Sequence, residues 1–283
     1  MDYLLAALYG VVEGITEWLP ISSTGHMILL EEFLKMNVSQ AFWDLFLVVV
    51  QLGAILAVVV LYWRRLWPFF RRRGRIYIST TRFLLWCKII VSCIPAAIVW
   101  LLFDNQINAL FYNYVSVAVA LIVFWVLFIL IEIKNKNLRP KVLRTEKLSF
   151  STAFLIGLFQ VIAAVFPGTS RSGATILGGL MLGVSRKVAA EFTFFLAVPV
   201  MFGASLLKLV KFGGSFTSTE IGLLAVGLIV AFVVSIVVIR FLMDYIKRHD
   251  FKVFGYYRII LGILVLCYAF LLARALRLLE ATE

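Results

Sequence analysis

The sequence predicts an all-α integral membrane protein of two inverted-topology repeats, each a re-entrant helix pair followed by three transmembrane helices. Three observations predict it. Of 283 residues, 63% are hydrophobic and 15% charged, whereas soluble domains are about 45–50% apolar. Six apolar stretches are long enough for a bilayer core, which takes roughly 20 residues. Two further apolar regions are each broken by a proline and a turn rich in glycine and hydroxyls.

The first broken region, 3–34, is interrupted at Pro20-Ile-Ser-Ser-Thr-Gly-His26. Its halves run about 10–17 residues, too short for two ordinary spans, so a re-entrant pair is predicted. Spans at about 43–62, 83–103 and 112–131 follow. A linker at about 132–149 leads to the second broken region, 150–184, interrupted at Pro167-Gly-Thr-Ser-Arg-Ser-Gly173. Spans at about 190–207, 221–239 and 256–273 complete the chain. Residues 1–283 thus form one membrane domain, with repeat one at about 1–131 and repeat two at about 150–273.

Charge sets the orientation. Loop 64–82 carries seven Lys/Arg, loop 132–148 six and segment 240–258 five, while 104–111 carries none. Arg186 and Lys187 add a short basic pair. The positive-inside rule makes the four basic segments cytoplasmic and 104–111 external. That assignment closes only if each broken region enters and leaves on one side, the first from outside and the second from the cytoplasm. The net charge of +12 therefore reflects topology rather than nucleic-acid binding. The N-terminus has no basic n-region and contains Asp2 and Glu13, so it does not read as a cleavable signal. Cys87, Cys93 and Cys267 have no metal spacing and read as buried small hydrophobes.

The halves also align at an offset near 147. Gly10 matches Gly157, Pro20 matches Pro167, Ser23 matches Ser170, and Asp44 matches Glu191. Gly25 matches Gly173 after a one-residue insertion. Three spans per half invert the second half relative to the first, which places a site near the midplane where the turns meet.

Each turn precedes a short helix, predicted at roughly 26–34 and 174–184. Free N–H groups and the positive dipole end make such a turn an anion site. Ser22, Ser23, Thr24, Thr169, Ser170 and Ser172 offer hydroxyls to phosphate oxygens; helix capping alone is the competing reading. Glu13 and Glu17 share a helix face near its negative end, a conflict that a divalent cation or an arginine would relieve. Protonation or an interhelical hydrogen bond competes. Arg171 offers a planar fork suited to phosphate, and pairing with Glu13 or Glu17 competes. His26 neighbours hydroxyls and carboxylates and is a candidate catalytic group. His249, in a basic loop, reads as solvated.

At these residues the chain resembles the undecaprenyl-diphosphate phosphatase, or bacitracin-resistance, family. Glu13-Gly-Ile-Thr-Glu17-Trp-Leu-Pro-Ile-Ser-Ser-Thr-Gly-His26 and Pro167-Gly-Thr-Ser-Arg-Ser-Gly173 carry the resemblance. Gln51-Leu-Gly-Ala-Ile-Leu-Ala-Val-Val-Val60 with Trp63-Arg64-Arg65 adds to it. The resemblance implies a multi-pass plasma-membrane (inner membrane) hydrolase converting undecaprenyl diphosphate to undecaprenyl phosphate and phosphate. It also implies divalent-cation dependence, a site open to the outer face, and recycling of the cell-wall lipid carrier.

The expected mechanism is metal-assisted phosphoryl transfer. Glu13 and Glu17 hold Mg²⁺ or Ca²⁺, and Arg171 with the hydroxyls binds phosphate. Ser23 is the candidate nucleophile with His26 as its base; water or His26 as nucleophile stays open. The partners are a polyprenyl diphosphate and membrane lipids, with a homodimer left open. A lipid flippase or secondary transporter and a non-catalytic scaffold are the rival readings.

Overall fold

A computed structural model describes residues 1–72, 75–111, 114–135, 138–214 and 216–280; a few side chains within them, Thr24 included, lie outside the described set. In chain order the described elements begin with α1 (Asp2–Thr16), α2 (Ser23–Phe33), α3 (Gln40–Leu61) and the short α4 (Trp63–Leu66). An antiparallel hairpin, β1 (Phe69–Arg72) and β2 (Arg75–Ile78), precedes α5 (Thr80–Phe111) and α6 (Tyr114–Asn135). The second half has α7 (Phe150–Val165), α8 (Arg171–Met181), α9 (Arg186–Phe212), α10 (Ser218–Tyr245) and α11 (Lys252–Glu280).

Apart from that hairpin the described protein is helical, and it is a multi-pass membrane protein. Among the described residues, five helices are long and apolar enough to cross a bilayer: α3, residues 80–103 of α5, 116–135 of α6, α9 and α10. The 29-residue α11 covers the sixth predicted stretch. The broken regions form the pairs α1/α2 and α7/α8 at the predicted places. Within α1/α2 the chain doubles back, since the Asn37 N–H donates to Asp2 Oδ1 (3.3 Å) and Tyr9 O–H to the Leu34 carbonyl (2.7 Å).

Several expectations are corrected. Residues 104–111 are not a loop but the end of α5, because no Gly or Pro interrupts the helix there. Loop 64–82 contains α4 and the hairpin, whose Phe, Ile and Tyr residues favour strand. The short helices start three residues earlier than predicted, at Ser23 and Arg171, because Ser22 and Ser170 are their N-caps. The equivalent serines are therefore Ser22 and Ser170, and Ser23 corresponds to Arg171. Asp44 is exposed beside Gln40, whereas Glu191 is buried, so that match does not extend to environment. Cys267 is exposed on α11 rather than buried.

Packing relationships recur in the two halves. α1 lies on α10, and α7 on α5; α10 also packs on α3, and α5 on α9. Glycine permits both close approaches: a Cβ on Gly10 would fall 2.6 Å from the Gly227 carbonyl oxygen, and one on Gly157 2.2 Å from that of Ser92. The basic segments meet at one end of the bundle. Arg65 bridges Glu146 (3.1 Å) and the buried Glu191 (2.8 Å), and Arg186 pairs with the buried Glu132, which also accepts from the Phe251 N–H (3.3 Å). At this end Glu146 has a carboxyl held below the usual range, first by its own backbone N–H and then by Arg65.

Candidate active site

α1 delivers the acidic half of the site. The helix ends at Thr16, and Glu17 caps it in right-handed conformation with its N–H donating to the Glu13 carbonyl (3.0 Å). Both carboxylates are buried, at 1% and 5% exposure. The Glu17 oxygens are both engaged: Oε2 accepts from Ser23 Oγ–H (2.7 Å), and Oε1 from Arg171 Nη2 (2.8 Å). Glu13 Oε1 has no partner among the described residues. An orphaned buried carboxylate oxygen is costly.

The two turns share one backbone device. Ser22 and Ser170 both hold φ 73°, a left-handed value rare for a residue with a Cβ, which costs of order 1–3 kcal/mol. In return each Oγ accepts the N–H of the glycine three residues on, Gly25 at 3.3 Å and Gly173 at 3.2 Å. Ser23 and Arg171 are thereby placed as the first residues of helices whose free N–H ends suit an anion. Arg171 is braced by the Thr193 carbonyl (3.2 Å) as well as by Glu17. The Ser170 and Ser172 hydroxyls lie 3.1 Å apart.

A cavity of about 360 Å³ opens between the turns. Glu17, Ser22 and Ser23 line it from one side, and Ser170, Arg171 and Ser172 from the other. Six of the residues singled out in the sequence thus converge. Glu13, Thr169 and His26 are not among its lining residues. The Thr24 side chain lies outside the described set. Thr169 lines a different, apolar groove between α6, α7 and α8, because its carbonyl is turned inward to Arg258 (2.9 Å). His26 is not paired with Ser23. Its Nδ1 lies 2.7 Å from the Ser22 carbonyl, which can only accept, so Nδ1 carries the proton; in the neutral ring Nε2 accepts from Tyr257 O–H (2.6 Å). One helical turn separates residues 22 and 26, which brings the ring to the carbonyl rather than to the Ser23 hydroxyl. In this arrangement Glu17 is the carboxylate beside Ser23, and His26 is bonded to the carbonyl of the strained Ser22.

Tyr257 and Arg258, neighbours on α11, were missed. Tyr257 stacks on His26 with ring centroids 5.7 Å apart, so it holds the first turn. Arg258 is fully buried over Trp125 and donates to the Gly168 and Thr169 carbonyls, so it holds the second. Counting Arg258 as a loop charge is corrected here. The available signal was an arginine inside the predicted span 256–273. Gln51 and Trp100 also line the cavity, and nothing in their spacing marked them.

The fold and site define a class: a polytopic helical membrane protein whose buried acid, hydroxyl and guanidinium groups converge between two helix N-termini. Within that class the chain belongs to the family described as bacitracin resistance protein BacA, which matches residues 6–264. It is 64% identical over 268 residues to an undecaprenyl-diphosphatase of Desulfitobacterium hafniense, covering 95% of this chain and 96% of the relative. Undecaprenyl-diphosphatase 1 of Clostridium acetobutylicum is 62% identical, with 95% and 97% covered. An undecaprenyl-diphosphatase of Enterococcus faecalis is 55% identical, with 94% and 96% covered.

Proposed function

We propose that the protein is an integral-membrane hydrolase converting undecaprenyl diphosphate to undecaprenyl phosphate and inorganic phosphate, and so recycles the lipid carrier of cell-wall synthesis. Relatives bearing that activity in their names support the substrate. The observation that carries the chemistry is Ser23, hydrogen-bonded to Glu17 while Glu17 is itself anchored by Arg171.

Ser23 Oγ attacks the terminal phosphorus as Glu17 Oε2 takes its proton, and the bond to the bridging oxygen breaks to release polyprenyl phosphate. Glu17 passes that proton to the departing phosphate oxygen; the carboxylate so freed deprotonates water, which attacks the phosphorus and breaks the P–Oγ bond, releasing inorganic phosphate as Ser23 Oγ takes the proton back from Glu17. Arg171, the Ser170 and Ser172 hydroxyls and the helix N-termini stabilise the equatorial charge. Among the described residues no three His, Cys, Asp or Glu cluster around a metal position. Glu13 and Glu17 would hold Mg²⁺ or Ca²⁺ with phosphate oxygens completing the shell. Such an ion supplies neutralisation of the diphosphate.

The polyprenyl chain fits an apolar groove of about 590 Å³ between α5, α7 and α9, which shares Trp100, Arg171 and Val200 with the cavity. Residues 1–131 and 150–273 are read as inverted repeats and each short pair as re-entrant. The recurrent packing and the identical cap angles support this. Cavity residues Ile107 and Ala204 lie towards the ends of α5 and α9 remote from the basic loops, which supports a site open to the outer face of the plasma membrane.

The test is phosphate release from a polyprenyl diphosphate by detergent-purified protein, with and without chelator. Release that chelator abolishes is expected. Lipid translocation in liposomes without any release would favour the transporter reading.

A further inference from the structure

Two buried polar atoms beside the cavity have no partner among the described residues: Nε of Arg171 and Oε1 of Gln160. Gln160 is only 3% exposed. Both side chains line the 590 Å³ groove, whose other walls include Ala97, Trp100, Leu101 and Leu207. Arg171 also lines the polar cavity, so it stands where polar cavity and apolar groove join. We infer that Gln160 and Arg171 bind the lipid-linked phosphate, first the proximal phosphate of the diphosphate substrate and then the polyprenyl monophosphate product.

The inference rests on the hydrolase reading and deepens it. If the terminal phosphorus meets Ser23 and the hydrocarbon follows the groove, the phosphate between them falls at the junction. Glu17 and the Thr193 carbonyl take one N–H from each Nη of Arg171, so three of its five N–H donors, the unpartnered Nε–H among them, remain for phosphate. Gln160 supplies an amide, whose N–H₂ donates to a phosphate oxygen and whose oxygen accepts from the P–OH of a monoanionic monophosphate. At the offset of 147, Gln160 occupies the place that Glu13 holds in the first half. A neutral amide there avoids the repulsion that a carboxylate would exert on a phosphate without a cation.

The experiment measures KM and kcat for a polyprenyl diphosphate, and inhibition constants for polyprenyl monophosphate and for inorganic phosphate, on Gln160→Leu, Gln160→Asn and Gln160→Glu in detergent. Gln160→Leu should raise KM and the monophosphate inhibition constant together, by about tenfold, the worth of about one hydrogen bond to a charged group. Inhibition by inorganic phosphate should not move. Gln160→Asn should fall between wild type and Leu, and Gln160→Glu should be worse than Leu through repulsion. A purely structural amide predicts the opposite order, since Glu is the isostere and Leu removes both polar atoms. KM and monophosphate inhibition within twofold of wild type in Leu and Glu variants, or Glu outperforming Leu, overturns the inference. Thermal unfolding screens the variants; if Leu does not fold, the Asn and Glu variants decide. Absence of phosphate release by the wild-type protein would instead overturn the hydrolase reading itself.

Discussion

The turns at Pro20–Ser23 and Pro167–Arg171 share a backbone and differ in almost every chemical group. Each places a serine cap at φ 73° ahead of an 11-residue helix. The first carries Glu13, Glu17, Ser23 and His26. Its counterparts in the second, counting the one-residue insertion, are Gln160, Ala164, Arg171 and Ala174. One turn is acidic, the other cationic and otherwise neutral. The two similar turns set two helix N-termini beside one cavity, and their side chains are complementary. The Glu17–Arg171 pair is the seam, joining residues 154 apart in sequence. A symmetric version would set carboxylate against carboxylate, or arginine against arginine, at membrane depth, where an uncompensated charge costs several kcal/mol.

The comparison breaks most visibly if the acidic turn is disarmed. Ser23→Ala and Glu17→Gln should each lower kcat by about 10³ or more, and the double variant should be little worse than either, as for groups acting as one unit. Steady-state phosphate release measures this. Losses that multiply in the double variant would separate Ser23 from Glu17. In the same assay His26→Ala should cost clearly less than Ser23→Ala, because the ring is bonded to the Ser22 carbonyl and Tyr257 rather than to Ser23. Equal losses would return the base role to His26.

Arg171→Lys tests the cationic turn. It keeps the charge but loses the fork that spans Glu17 and the Thr193 carbonyl, so kcat/KM should drop about 10²-fold. Activity near wild type would reduce Arg171 to a point charge.

Glu13→Gln should lower release about tenfold and flatten its dependence on Mg²⁺ or Ca²⁺, since an amide oxygen is a weak substitute for a carboxylate ligand. Titration of activity against each cation checks it. An unchanged cation response removes Glu13 from the ion. The smallest effect is expected for Tyr257→Phe, which frees one nitrogen of His26 and should cost about threefold in kcat with little change in KM.

Much of this was legible beforehand. Hydropathy located the spans because bilayer thickness fixes their length. The broken pairs were legible because proline and a glycine-rich turn cannot continue a helix, and because their halves were too short to span. Glu17, Ser23 and Arg171 stood out because polar groups are expensive in apolar stretches. The errors have a common origin. His26 was assigned to Ser23 by nearness in sequence, but helix geometry took it to the Ser22 carbonyl. Arg258 was counted with loop charges, because a basic residue near a helix end usually snorkels to the interface; here it turns inward to two carbonyls. Thr169 sits among the turn hydroxyls in sequence, yet the positive φ of Gly168, 91°, and the grip of Arg258 swing it to the other groove.

By itself the sequence determined the all-helical membrane class, the two broken regions and the list of chemically costly residues, since these follow from local composition and from what a bilayer tolerates. The tertiary structure decided the partnerships: Glu17 with Ser23 and Arg171, His26 with Tyr257, Arg258 with the second turn, and Gln160 beside the groove. Those depend on which faces α1, α7 and α11 bury, and burial of a face is settled by packing between distant segments.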